Sequence, residues 1–152
     1  MRTKKSLANE FFALSPEQRR SVHFILCEHA LGKWNLYAKA QNKIEYLETV
    51  AGTRQEVDKN LPFDSFSSAL QGIDLLNIAE RYQEPIVALQ DDDLTLPENI
   101  TFAYYAIYNL FKKYVKIEVI DDWLIVNQAL STEDDSEAWV TLLNDAIQRV
   151  KS

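Results

Sequence analysis

The chain has 152 residues, a formal net charge of −7 and 47% apolar residues, with 26% charged; that composition fits one globular domain over residues 1–152 and excludes a disordered chain. One cysteine, Cys27, excludes an internal disulfide framework and a four-cysteine zinc site. Three glycines and four prolines disfavour a turn-rich β fold and favour helices.

Met1–Lys5 is basic, but the following segment holds Asn9 and Glu10 and lacks the apolar run of a signal peptide. No stretch has the ~18 apolar residues of a membrane span, so a soluble, cytoplasmic protein is expected. Leu7, Phe11, Phe12 and Leu14 predict a short first helix. Ser15-Pro16-Glu17-Gln18 is a helix start: Ser15 caps, Pro16 fits the first turn and Gln18 reaches back. Val22, Ile25, Leu26, His29 and Ala30 then recur at helical spacing, with Gly32 as the expected stop. Trp34, Tyr37, Gln41, Ile44, Leu47 and Ala51 predict another helix ending at Gly52.

The polar segment 53–60 is expected to hold one or two helical turns. Asp64 or Ser65 caps the next predicted helix, whose stripe is Phe66, Ala69, Leu70, Ile73, Leu76 and Asn77, and Pro85 predicts a break near 81–84. Thr95 and Glu98 repeat the capping pattern before the clearest stripe in the chain: Ile100, Ala103, Tyr104, Ile107, Leu110, Phe111 and Tyr114. Residues 115–120 alternate weakly, but a lone strand is unstable, so a helix over about 118–129 is expected. A last helix begins near Thr132 or Ser136 and buries Trp139, Leu142, Leu143, Ala146 and Val150. The predicted fold class is all-α, a single-domain irregular bundle of six or seven helices.

No residue set spells out a reaction. His23 and His29 are six apart and turn about 240° from one another on a helix. Cys27 has no activating neighbour in the sequence. A calcium loop starting at Asp91 would need Gly and Glu where Leu96 and Phe102 stand. There is no phosphate-binding glycine motif and no nucleophile elbow. No catalytic residues, no metal and no cofactor are therefore expected, although carboxylates converging from separate helices leave an enzyme as a third reading.

Charge carries the most information. Met1–Phe63 holds ten Lys/Arg against seven Asp/Glu, and Asp64–Ser152 holds six against sixteen. The acids cluster at Asp91-Asp92-Asp93, at Asp121-Asp122 beside Trp123, and at Glu133-Asp134-Asp135 with Glu137. Such a field attracts a basic protein and repels bare nucleic acid. These ten residues are the candidate partner-binding set. The alternative for the acids is helix capping and solubility; for Trp123 it is a place in the core rather than a hot spot.

The segment Leu14-Ser15-Pro16-Glu17-Gln18-Arg19-Arg20, the Trp34 helix, Asp91-Asp92-Asp93 and Asp121-Asp122-Trp123-Leu124 resemble the helical immunity proteins of contact-dependent growth inhibition and related polymorphic toxin systems. The resemblance implies a cognate toxin domain, often a nuclease with a basic cleft, held by an acidic surface and blocked sterically. A helical adaptor binding another basic protein is the alternative.

Overall fold

The computed structural model describes residues 2–48 and 52–152. Among them are seven helices and one small hairpin: α1 (Lys4–Ala13), α2 (Pro16–Ala40), β1 (Glu45–Leu47), β2 (Arg54–Glu56), α3 (Leu61–Gln71), α4 (Ile78–Gln90), α5 (Glu98–Tyr114), α6 (Asp122–Leu130) and α7 (Ser136–Lys151). The fold is all-α in class, as the helical periodicity and the scarcity of glycine imply.

The central element is α2, which touches α3, α5, α6 and α7. It starts where the sequence places it. The Ser15 hydroxyl accepts from the Gln18 N–H at 3.1 Å and the Gln18 side chain accepts from the Ser15 N–H at 3.0 Å, so two otherwise orphaned donors are satisfied. It does not stop at Gly32. Glycine costs a helix interior only about 1 kcal/mol, and the apolar residues flanking it, Leu31, Trp34 and Ala38, are all buried. The helix therefore runs on to Ala40, with Trp34 fully buried and its indole N–H donating to the Lys59 carbonyl.

The expected helix from Trp34 to Gly52 is the largest correction. Its stripe is helical only as far as Ala40. Beyond that, Ile44 and Tyr46 are buried while Glu45 and Leu47 are exposed, a period of two rather than 3.6. β1 pairs antiparallel with β2, Tyr46 standing opposite Gln55, and this strand replaces the helical turns expected over 53–60. Ala51, also assigned to that stripe, lies outside the described residues.

The next helix begins earlier than expected, at Leu61 rather than after Asp64 or Ser65, and ends at Gly72, whose φ of 72° is the left-handed conformation of a helix stop. Leu70, Ile73 and Leu76, assigned to the buried stripe, are exposed. The break thus falls at 72–77, where Asp74 accepts from the Ile78 N–H at 2.6 Å, and not at 81–84. Pro85 lies buried within α4, its ring adding apolar surface to the packed face.

Helix α5 matches its expected stripe, but Pro97 occupies the cap position with no side-chain bond; Thr95 does not cap it. Lys113 meets Asp122, and Asn109 donates to Gln128 at 2.8 Å, so α6 runs back along α5. Residues 115–121 are neither strand nor helix, which moves the start of α6 from about 118 to Asp122. α7 starts at Ser136 with Asp135 as cap and buries Trp139, Leu143 and Ala146.

Candidate functional site

The nine acids and one tryptophan singled out in the sequence fall at three different places. Asp122 sits where α2, α5 and α6 meet. Its Oδ2 accepts from the Arg19 Nε at 3.0 Å and its Oδ1 lies 2.7 Å from the Lys113 ammonium. Its backbone carbonyl accepts from His23 Nε2 at 2.8 Å, and His23 Nδ1 lies 2.7 Å from the Tyr114 hydroxyl. A carbonyl only accepts, so the ring proton is on Nε2 and Tyr114 donates to Nδ1. Burial lowers the His23 pKa to about 4, against the pull of Asp122. Burial alone would raise Asp122, but hydrogen bonds from Lys113 and Arg19 outweigh it and hold the carboxyl below its ordinary value.

This constellation has the ingredients of acid–base chemistry, yet each group is bonded to another and His23 is fully buried. It acts as a knot between helices. Cys27 is likewise fully buried, and burial pushes its thiol up, away from the thiolate form that reacts. Among the described residues no three His, Cys, Asp or Glu side chains are placed to hold a metal ion, and no helix is long and apolar enough to cross a membrane.

Asp121 caps α6 by accepting from the Trp123 N–H at 2.9 Å. Trp123 itself is half-buried against the rings of Phe11, Phe12 and Trp139, at centroid distances of 5.8, 6.0 and 6.0 Å. Glu133 accepts from His29 at 2.8 Å and Lys33 at 3.0 Å, and the Lys33 bond holds its carboxyl low. Asp135 accepts from the Glu137 N–H at 3.0 Å as the α7 cap. Asp134 and Glu137 are exposed. Asp91 and Asp92 are exposed in the turn that ends α4, with Asp92 at a φ of 60°, and Asp93 is half-buried there.

Asp122 and Glu137 each line a hollow of their own, whereas Asp93, in the Asp91-Asp92-Asp93 turn, lines a concavity against the hairpin that the sequence reading missed. Glu80, Gln83, Glu84 and Val87 lie three and four apart on one face of α4, and that face meets the hairpin in two adjoining grooves that share Tyr46, Gln83 and Glu84. The first, of about 230 Å³, is lined by Tyr46, Leu47, Val87 and Ala88 with Glu48, Glu84 and Asp93. The second, of about 290 Å³, adds Glu56, Asp58 and Glu80 with Arg81. Among the described residues, six carboxylates therefore line the pair of grooves, against the single guanidinium of Arg81. That guanidinium is already bound to Asp58 at 2.6 Å and Asp64 at 3.0 Å. Lys43, Arg54 and Lys59 line neither groove, and the Lys59 ammonium is turned onto the Gln41 and Asn42 carbonyls.

The electrostatics agree with the geometry. The Tyr46 hydroxyl donates to Glu84 Oε2 at 3.4 Å, and its phenol is pushed up by burial first and then by the charges of Glu84 and Glu48. Across the hairpin, Glu45 stands directly opposite Glu56, a like-charge pairing that weakens a sheet. Glu45, Glu48, Glu56 and Asp58 all come from the part of the chain that is cationic on average, so summing charge by halves hid them. The signal that would have found them is the alternation of Ile44 and Tyr46.

No protein-family model matches the chain, and no curated protein or solved structure matches it either.

Proposed function

We propose that this protein binds and neutralises a basic toxin domain, most simply a nuclease, by covering its cleft with the anionic surface between the hairpin and α4 and the adjoining Asp91-Asp92-Asp93 turn. The observation that carries this reading is the excess of six carboxylates over one internally paired guanidinium in two contiguous grooves. A nuclease cleft must hold phosphates and is therefore cationic. An opposed anionic face steers encounter and raises the association rate to as much as about 10⁸ M⁻¹s⁻¹ at low salt. Blocking a cleft requires no reaction by the inhibitor, in keeping with a His23–Asp122 cluster that serves the packing of the helices.

The like-charge pair Glu45 and Glu56 supports the same reading, because directly opposed like charges weaken a sheet and neither is in an ion pair among the described residues. The second reading, an adaptor for another basic protein, draws on the same surface and differs only in the partner's activity.

Co-expression with toxin genes encoded beside this one separates them. The toxin reading expects growth to be rescued and a stable complex to form; complex formation without rescue favours the adaptor. With a partner in hand, Asp91, Asp92 and Asp93 changed together to Asn should slow association about ten-fold and flatten its salt dependence. An unchanged rate removes the turn from the interface.

A further inference from the structure

The groove lined by Tyr46, Leu47, Val87 and Ala88 has a chemistry that acidity alone does not describe. Leu47 and Val87 remain 54% and 51% exposed, although each has buried neighbours on its own element. Their exposed faces and the Tyr46 ring make an apolar lining, and Glu48, Glu84 and Asp93 supply three carboxylates, with no Lys, Arg or His lining the groove among the described residues. At about 230 Å³ the groove is smaller than the ~300 Å³ at which sites for free small molecules begin. It is the size of a side chain.

We propose that this groove is an anchor site for one lysine or arginine side chain of the protein partner: the aliphatic stem lies on Leu47, Val87 and Tyr46, and the cationic head meets Glu48, Glu84 and Asp93. Long cationic side chains are amphipathic in this way, with an apolar stem and a charged tip. An aliphatic residue would bring no positive charge to the three carboxylates, and an acidic one would be repelled by all three. The inference rests on the proposed binding of a basic partner and adds the particular residue type that the partner inserts. It also assigns roles within the site. Glu84, oriented by the Tyr46 hydroxyl, fixes where the head sits, and Val87 sets how far the stem enters.

The test uses the full chain and small probes in place of the unidentified partner. Amide NMR shifts are followed as hexylammonium, 1-hexanol or hexanoate is added. Hexylammonium should shift the amides of Leu47, Glu48, Gln83, Glu84 and Val87, binding roughly five-fold tighter than hexanol, the scale of an exposed ion pair. Hexanoate should leave them unmoved. Val87→Lys, a change at an exposed helix position, should abolish the shifts by supplying the cation internally, while the rest of the spectrum stays in place. Equal binding of hexanol, shifts centred elsewhere, or full hexylammonium binding by Val87→Lys would each overturn the anchor. Failure here together with a salt-steered toxin complex would discard the anchor and leave the proposed function standing. Success here with no basic partner that binds would retain the cation site and discard that function.

Discussion

Glu45 and Glu56 face one another across the antiparallel hairpin, both exposed, and neither is in an ion pair among the described residues. Directly opposed like charges weaken a sheet by a few tenths of a kcal/mol to about 1 kcal/mol, and opposite charges stabilise it to a similar degree. Glu45→Lys should therefore raise stability by about 0.5 kcal/mol. That corresponds to a urea midpoint higher by about 0.2 M at unchanged slope. The same variant should slow association with a basic partner. A midpoint that stays put or falls would show that the pairing carries no strain for function to explain.

His23 gives the protein a defined acid limb. Its pKa is lowered from 6.5 to about 4 in the folded state by burial, with Arg19 and Lys113 opposing its charge and Asp122 favouring it. Between those values the unfolded chain binds a proton that the native state refuses, so stability falls as pH falls. Its contribution is complete above pH 6.5 and is lost towards pH 4, amounting to about 2 kcal/mol by pH 5 at 1.36 kcal/mol per unit. Asp122, held low, adds a further loss below the ordinary carboxylate range. Urea midpoints measured from pH 7 to pH 5 should decline in the native protein and much less in His23→Gln. Equal slopes would mean that His23 is protonated in the fold.

Asp121 and Asp122 are neighbours with unlike roles. Asp121 is a cap, and asparagine caps as well as aspartate does, so Asp121→Asn should change stability by no more than about 0.5 kcal/mol. Asp122→Asn removes charge-assisted contacts from both Arg19 and Lys113 and should cost about 2 kcal/mol. Thermal or urea unfolding of the two variants side by side decides this. Equal effects would place Asp122 with the solvated acids.

Much of the helical frame could be read from residue pattern, because its signals are local. The Ser15–Gln18 box and the Ile100-to-Tyr114 stripe each act within a few residues of chain. The hairpin was illegible for a physical reason: Ile44 and Leu47 continue helical spacing from Trp34, and a three-residue strand is too short for period two to win. With the hairpin lost, so was the opposition of Glu45 to Glu56, and with it the grooves against α4. Pro85 misled in the other direction. A proline breaks an isolated helix, but inside a packed one its buried ring offsets part of the missing bond. The acidic clusters were visible, yet no linear pattern says that Asp122 is answered by Arg19, 103 positions away in the chain, and Glu133 by His29, 104 positions away, both from α2.

Trp123 is where the choice between core and partner contact becomes measurable. Its ring is bracketed by Phe11, Phe12 and Trp139, which ties α6 to α1 and α7, and its neighbour Leu124 is 41% exposed. Truncating a fully buried tryptophan costs about 3–5 kcal/mol through lost burial and the cavity left behind. Trp123 is half-buried, so Trp123→Ala should cost about 2 kcal/mol and lower the urea midpoint in the absence of any partner. Leu124→Ala, at the exposed neighbour, should cost less than about 1 kcal/mol. If Trp123→Ala instead keeps its midpoint and weakens only complex formation, the ring belongs to an interface on the α6 side, apart from the α4 grooves.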